Sequence, residues 1–213
     1  MRKYVVSLLL ISTLFLSACN FGSSTEKDLA SALSKLNSAE EKYEEAQVEL
    51  LNLEKSEQTL FNEIIQLTKE EKDELKTKVA EIEESLGKRI TLLEDEEESI
   101  KKAKESVVDL DEIIEKTDDE QIKTEITDLK DSINSRYDLH AEFVNNYKTL
   151  ADLQEQLYAM LDNEETDVSE LQEKVSEVND QNTAVKEVIQ LFNESTGTVN
   201  ELKESIFQKF EEK

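Results

Sequence analysis

The chain has 213 residues, with 51 Asp or Glu against 25 Lys or Arg and a formal net charge of −26. It has no Pro, no Trp and only three Gly, which argues against sheet-rich and doubly wound folds, whose turns lean on Gly and Pro. Such acidity excludes a general nucleic-acid binder, because phosphate recognition needs clustered Lys and Arg.

The N-terminus reads as a targeting segment. Met1, Arg2 and Lys3 form a basic start, Tyr4 to Phe15 is mostly apolar, and Leu16-Ser17-Ala18-Cys19 follows. Small residues before a cleavage point suit a signal peptidase. The Cys placed directly after Leu-Ser-Ala resembles the lipobox of bacterial lipoproteins. That resemblance implies a signal peptide over 1–18 and a diacylglycerol- and palmitate-bearing Cys19 as the mature N-terminus. An ordinary secretory signal with a nearby Cys is the plainer alternative. The apolar stretch is short for a membrane span, which takes about 20 residues. Cys19 is the only Cys, so no intramolecular disulfide is possible. Residues 19–25 form a polar tether, of which Asn20 to Thr25 reaches about 20 Å at most.

From residue 26 onward, apolar residues recur at spacings of three and four, the signature of amphipathic helices. Four runs begin at Leu29, Leu75, Ile122 and Val168 at near-equal intervals. Each covers about 40 residues, or about 60 Å of helix. Polar stretches divide them at Thr68 to Glu74, Glu115 to Gln121 and Asp162 to Asp167. Equal helices joined by short loops pack antiparallel. The expected fold is therefore all-α: an elongated, coiled-coil-like, up-and-down four-helix bundle in one domain over 26–213. Its helices are expected at about 26–67, 69–115, 119–161 and 167–211. Thr68 with Glu71 and Thr117 with Glu120 match capping-box spacing. The third run is apolar on both flanks, with Tyr137, Val144, Ala151 and Tyr158 on one side and Leu139, Leu153 and Met160 on the other. It calls for neighbours on most sides, which favours one chain folding on itself over a dimer of rods. Gly87 and Gly197 fall inside helices and read as weak spots or kinks, Gly197 alternatively as the end of the fourth helix.

Several polar residues fall at heptad core positions: Glu57, Arg89, Glu96, Arg136, His140, Gln154 and Asn182. Arg–Glu pairing across helices, and Asn182, could fix register; the pairing partners are not readable from the sequence. His140, the only His, with Tyr147 a heptad on and Met160 beyond, is better read as a hydrogen-bonded core residue than as a metal or haem ligand, since zinc wants three or four N or S ligands. The acidic run Glu94 to Glu98 and the acidic loops at Asp118-Asp119 and Asp162 to Asp167 lack calcium-loop spacing. No nucleophile–base arrangement or phosphate-cradling loop appears. No catalytic residue, metal or cofactor is therefore expected. Lys69, Lys72, Lys76 and Lys78, and Lys101, Lys102 and Lys104, are possible basic patches, explained equally by i,i+4 pairing with Glu.

The lipobox at Leu16 to Cys19, the short tether and the long acidic, Pro-free helical region together resemble the YkyA-like family of lipoproteins of Gram-positive bacteria, a family named for cell-wall binding. The resemblance covers the whole chain and rests on layout; no catalytic residue carries over. It implies a non-catalytic envelope lipoprotein, held by Cys19 at the outer face of the plasma membrane and extending toward the wall, with peptidoglycan or another envelope protein as partner. A net charge of this size would repel anionic wall polymers unless cations or local Lys patches intervene. The alternatives are a carrier of a small apolar ligand between helices loosened near Gly87, Gly197 or His140, and an envelope enzyme of unrecognised type.

Overall fold

The computed structural model describes residues 24–212, except Lys69 and Glu164 and the side chain of Glu44. The expected signal peptide over 1–18 and Cys19 lie outside the described residues. The chain forms α1 (Ser24–Ala39), α2 (Glu41–Ile64), α3 (Lys72–Ser106), α4 (Asp109–Lys116), α5 (Glu120–Asp162) and α6 (Val168–Glu211). No strand occurs among the described residues. These segments make four antiparallel rods, because α1 runs into α2 and α3 into α4 across short breaks. The 43 residues of α5 give the longest unbroken contact surface bar α6, about 65 Å at 1.5 Å per residue.

Neither break is at a glycine. The first is at Glu40, whose N–H is shared between the carbonyls of Leu36 (3.2 Å) and Asn37 (3.1 Å). Ser99 Oγ on α3 donates to the Ala39 carbonyl at 2.6 Å, so the interruption is tied to the neighbouring rod. The second is a tight turn at Val107 and Val108, where Val107 N–H bonds Lys104 O and Leu110 N–H bonds Val107 O. Gly87 and Gly197, expected as weak spots, lie within continuous helix, and α6 runs on to Glu211. A Cβ at either glycine would meet nothing within 4 Å.

The helix starts also correct the sequence reading. Thr68 N–H and Oγ1 both donate to Glu71 Oε2, at 2.7 and 2.8 Å, but α3 starts only at Lys72. The pair closes the preceding turn. Thr117 Oγ1 instead donates to Ile113 O at the end of α4. The start of α5 is capped by Asp119, which accepts from the backbone N–H of Gln121 and Ile122. The capping box belongs to Asp167 and Glu170 at the start of α6. The acidic loop residues Asp119 and Asp167 thus satisfy helix N–H groups that would otherwise lack partners, where carboxylates also complement the helix dipole.

The heptad pattern places the core well. On α3, α4 and α5 the heptad core positions Ile82, Arg89, Glu96, Ala103, Leu110, Ile122, Leu129, Arg136, Phe143, Leu150 and Leu157 are buried, while Leu75 at the start of α3 is half-buried. So is the added flank Tyr137, Val144, Ala151 and Tyr158 of α5, which packs between α3 and α6. The start of α6 departs from the pattern: Val168, assigned to the core, is 70% exposed.

The apolar core falls into three segments. One holds Leu29, Leu110, Ile122 and Ile206, and so gathers the start of α1, the α4–α5 connection and the end of α6. The middle one holds Leu50, Leu93, Phe143 and Val185. The third, at the opposite end, holds Ile64, Val79, Ile82 and Leu157 beneath the α2–α3 and α5–α6 loops.

Candidate functional site: buried polar layers and the cavity beside Arg136

Polar side chains interrupt the apolar core at three heights, two of them between core segments and one within the first segment, and these are the most distinctive chemistry of the bundle. Nearest the α2–α3 end, Arg89 is 1% exposed. It reaches Glu57 at 2.5 Å, donates Nε–H to Tyr147 Oη at 2.7 Å and touches Gln154 Oε1 at 3.2 Å. Tyr147 Oη in turn donates to Glu54 at 2.7 Å. Burial opposes the Arg89 charge, but Tyr147, Glu57 and Glu54 together hold its pKa above the ordinary guanidinium value. Burial also pushes the Glu57 carboxyl up, and Arg89 offsets this only in part. Glu57 Oε1 and Ser85 Oγ lack hydrogen-bond partners among the described residues.

The middle layer is the pair that includes the lone His. His140 Nε2 lies 2.6 Å from Glu96 Oε1, and Gln47 donates to Glu96 Oε2 at 2.7 Å. Both His140 and Glu96 are buried. The imidazole sits among Tyr43, Phe143 and Phe192, with ring centroids 5.6 to 5.9 Å away. The core reading of His140 therefore holds in geometry. No group of three His, Cys, Asp or Glu able to hold a metal occurs among the described residues.

The third layer lies four residues earlier on α5. Arg136 Nη1 and Nη2 form a two-pronged ion pair with Glu40, each contact 2.9 Å. Arg136 Nε donates to Thr196 Oγ1 at 2.9 Å, and Tyr137 Oη donates to Glu40 at 2.5 Å. The Arg136 guanidinium also stacks over Phe192, 4.6 Å from the ring centroid, an arrangement worth about 2 kcal/mol when desolvated. Burial works against the Arg136 charge, yet Glu40 keeps its pKa above the ordinary value; burial and Glu40 raise that of Tyr137.

Beside this layer a cavity of about 40 Å³ opens between α1, α5 and α6, lined by Asn37, Glu40, Arg136, Tyr137, Asn200 and Lys203 among others. Lys203 is half-buried there. Burial lowers its pKa, Glu40 raising it and Arg136 lowering it further. A smaller cavity of about 20 Å³ adjoins His140.

Of the polar core residues read from the sequence, the structure joins Arg89 to Glu57 and Gln154, and Glu96 to His140. Arg136 finds its partner in Glu40, which the heptad pattern leaves outside the core. Asn182, expected to set register, is only half-buried. The bond across helices comes from the adjacent Gln181, whose amide donates to Asn146 O and Oδ1 at 2.9 and 3.1 Å. The lysine patches are largely paired, as i,i+4 spacing and rod-to-rod contact allow: Lys78 with Glu63 and Glu74, Lys102 with Glu98, Lys104 with Asp138. Lys69 lies outside the described residues. In the acidic run, Glu97 and Glu98 pair with Lys148 and Lys102. No described helix is long and apolar enough to cross a membrane.

Comparison with known proteins bears on what such a bundle is. The model of the YkyA family, described as "Putative cell-wall binding lipoprotein", matches residues 24–209. A 1.6 Å crystal structure of a conserved protein of unknown function from Staphylococcus aureus superposes with a TM-score of 0.71 at 19% identity, covering 89% of this chain and 98% of that one. At that identity the likeness is one of fold. No curated protein matches the sequence.

Proposed function

The chain belongs to the YkyA family, and from that premise we propose that it is a non-catalytic, lipid-anchored spacer and docking bundle. It is held by Cys19 at the outer face of the bacterial plasma membrane and binds cell-wall material or an envelope protein. The observation that carries the reading is the family match over residues 24–209, directly downstream of Leu16-Ser17-Ala18-Cys19. The architecture supports it. The chain enters the bundle at Ser24, so a tether from Cys19 leads to the end that also holds the α4–α5 connection and the end of α6. The other end lies about 60 Å away. Cavities of about 40 and 20 Å³ favour docking over carriage of an apolar ligand, which needs several hundred Å³.

Two measurements test this. Cys19→Ala should move the protein from the membrane to the soluble fraction of its own cells, because the acyl chains supply the anchoring free energy at about 0.8 kcal/mol per methylene. Equal membrane fractions would end the anchoring claim. The wild-type protein should also co-sediment with purified peptidoglycan or be crosslinked to one envelope protein in intact cells; recovery of neither would sink the docking claim.

A further inference from the structure

In a chain of net charge −26, the cavity between α1, α5 and α6 is locally positive. Its charged lining is Arg136, Lys203 and Glu40. Glu40 is fully engaged, with both oxygens on Arg136 and one also accepting from Tyr137. Lys203 makes no hydrogen bond or ion pair among the described residues, although most other core-facing cations of the bundle have a carboxylate partner. The side chains of Asn37, exposed on α1, and Asn200, half-buried on α6, also line the cavity, and their amides make no hydrogen bond among the described residues. A half-buried ammonium left unpaired is costly. Here it faces a space that admits solvent, and the one carboxylate it shares the cavity with, Glu40, is already engaged by Arg136 and Tyr137.

We propose that this cavity is a binding site for a carboxylate group, as at the C-terminus of a peptide. The carboxylate pairs with Lys203 and accepts hydrogen bonds from the Asn37 and Asn200 amides. Arg136, clamped by Glu40, supplies fixed positive charge behind it, and Leu33 and Val199 form the apolar walls for the ligand's first carbons.

Charge and size select the ligand. One carboxylate neutralises the net single positive charge of the lining. A phosphate dianion would leave excess negative charge inside an already anionic molecule. A phosphodiester carries one charge but branches on both sides, and a cavity of about 40 Å³ has room for a terminal group only. The identification of the carboxylate with a peptide of the wall rests on the wall-binding reading; the affinity for a simple carboxylate does not.

The test uses the full-length protein, solubilised with its anchor, and follows backbone amide resonances of Thr196, Val199, Asn200 and Lys203. The probes are N-acetylglycine, the neutral N-acetylglycinamide and inorganic phosphate. N-acetylglycine should shift these resonances saturably and the neutral amide should not. Lys203→Met keeps the carbon stem and should weaken binding at least about tenfold, the loss expected for one charge-assisted contact. Asn200→Ala should weaken it less. Circular dichroism establishes that both variants remain folded. Absence of a saturable shift with N-acetylglycine, unchanged affinity in Lys203→Met, or saturable binding of phosphate alone would each overturn the proposal. Should N-acetylglycine bind while peptidoglycan fails to sediment the protein, the pocket stands and the wall as its partner falls.

Discussion

Arg89 is surrounded by acceptors that come from two other rods: Glu57 and Glu54 on α2, Tyr147 and Gln154 on α5. Removing one side of such a buried pair strands the other, which typically costs about 3–5 kcal/mol, whereas replacing both sides with apolar groups of similar volume is often neutral. Glu57 already bears a burial penalty and an oxygen without a partner. Arg89→Leu is therefore expected to lower the stability measured by urea unfolding by about 3–5 kcal/mol, and adding Glu57→Leu should recover most of that loss. A double variant no more stable than Arg89→Leu would show that Glu57 is not the group left stranded. The sequence made Arg89, Glu57, Glu96 and His140 legible as core residues, because each interrupts an otherwise apolar heptad position. It could not reveal Glu40, whose position is set by the break between α1 and α2 and whose residue type is commonplace in a chain with 51 acidic residues.

The rods owe their continuity to the absence of Pro and to the scarcity of Gly. The two helical glycines carry only a cost: each loses more backbone entropy on folding than Ala would, and each faces open space. Gly87→Ala and Gly197→Ala should each stabilise the protein by about 0.5–1 kcal/mol, read as a rise in thermal midpoint. A fall would mean that the glycines serve a bend or contact of the functional state. The elements themselves were readable from their apolar period. Their interruptions were not, and the first of them is set by tertiary contacts. The first is bracketed by Ser99 on α3 and by Arg136 and Tyr137 on α5, which hold the Ala39 carbonyl and the Glu40 carboxylate. Nothing in the local sequence Ser38-Ala39-Glu40-Glu41 encodes such distant partners. The caps show the same limit, since Thr-x-x-Glu matches occur by chance wherever Glu is common, and the functional caps are the aspartates.

For the molecule as a whole, a heptad pattern repeated along four rods leaves register underdetermined, because a slip of seven residues again places apolar side chains opposite apolar side chains. The three polar layers remove that freedom. Slipping the first rod by one heptad in either direction sets Glu57 opposite Ile82 or opposite Glu96, and leaves Arg89 buried without its partner. The surrounding surface adds a second constraint, the mutual repulsion of a net charge of −26. The screening length falls from about 30 Å at 0.01 M salt to about 8 Å at 0.15 M. The thermal midpoint should therefore rise with added sodium chloride over that range. A midpoint that falls would mean that the surface ion pairs outweigh the self-repulsion.

The first rod enters the bundle at Ser24 and ends beneath the far loops, and it is fastened to its neighbours by Glu40, Gln47 and Glu57 at three separate heights. Were the protein tethered at one tip and gripped at the other, tension would run along this rod's axis. The three fastenings would then be strained together rather than opened in succession. Mechanical pulling from the two tips should accordingly give one cooperative rupture, whereas pulling the rod sideways from its first residue should peel it in steps.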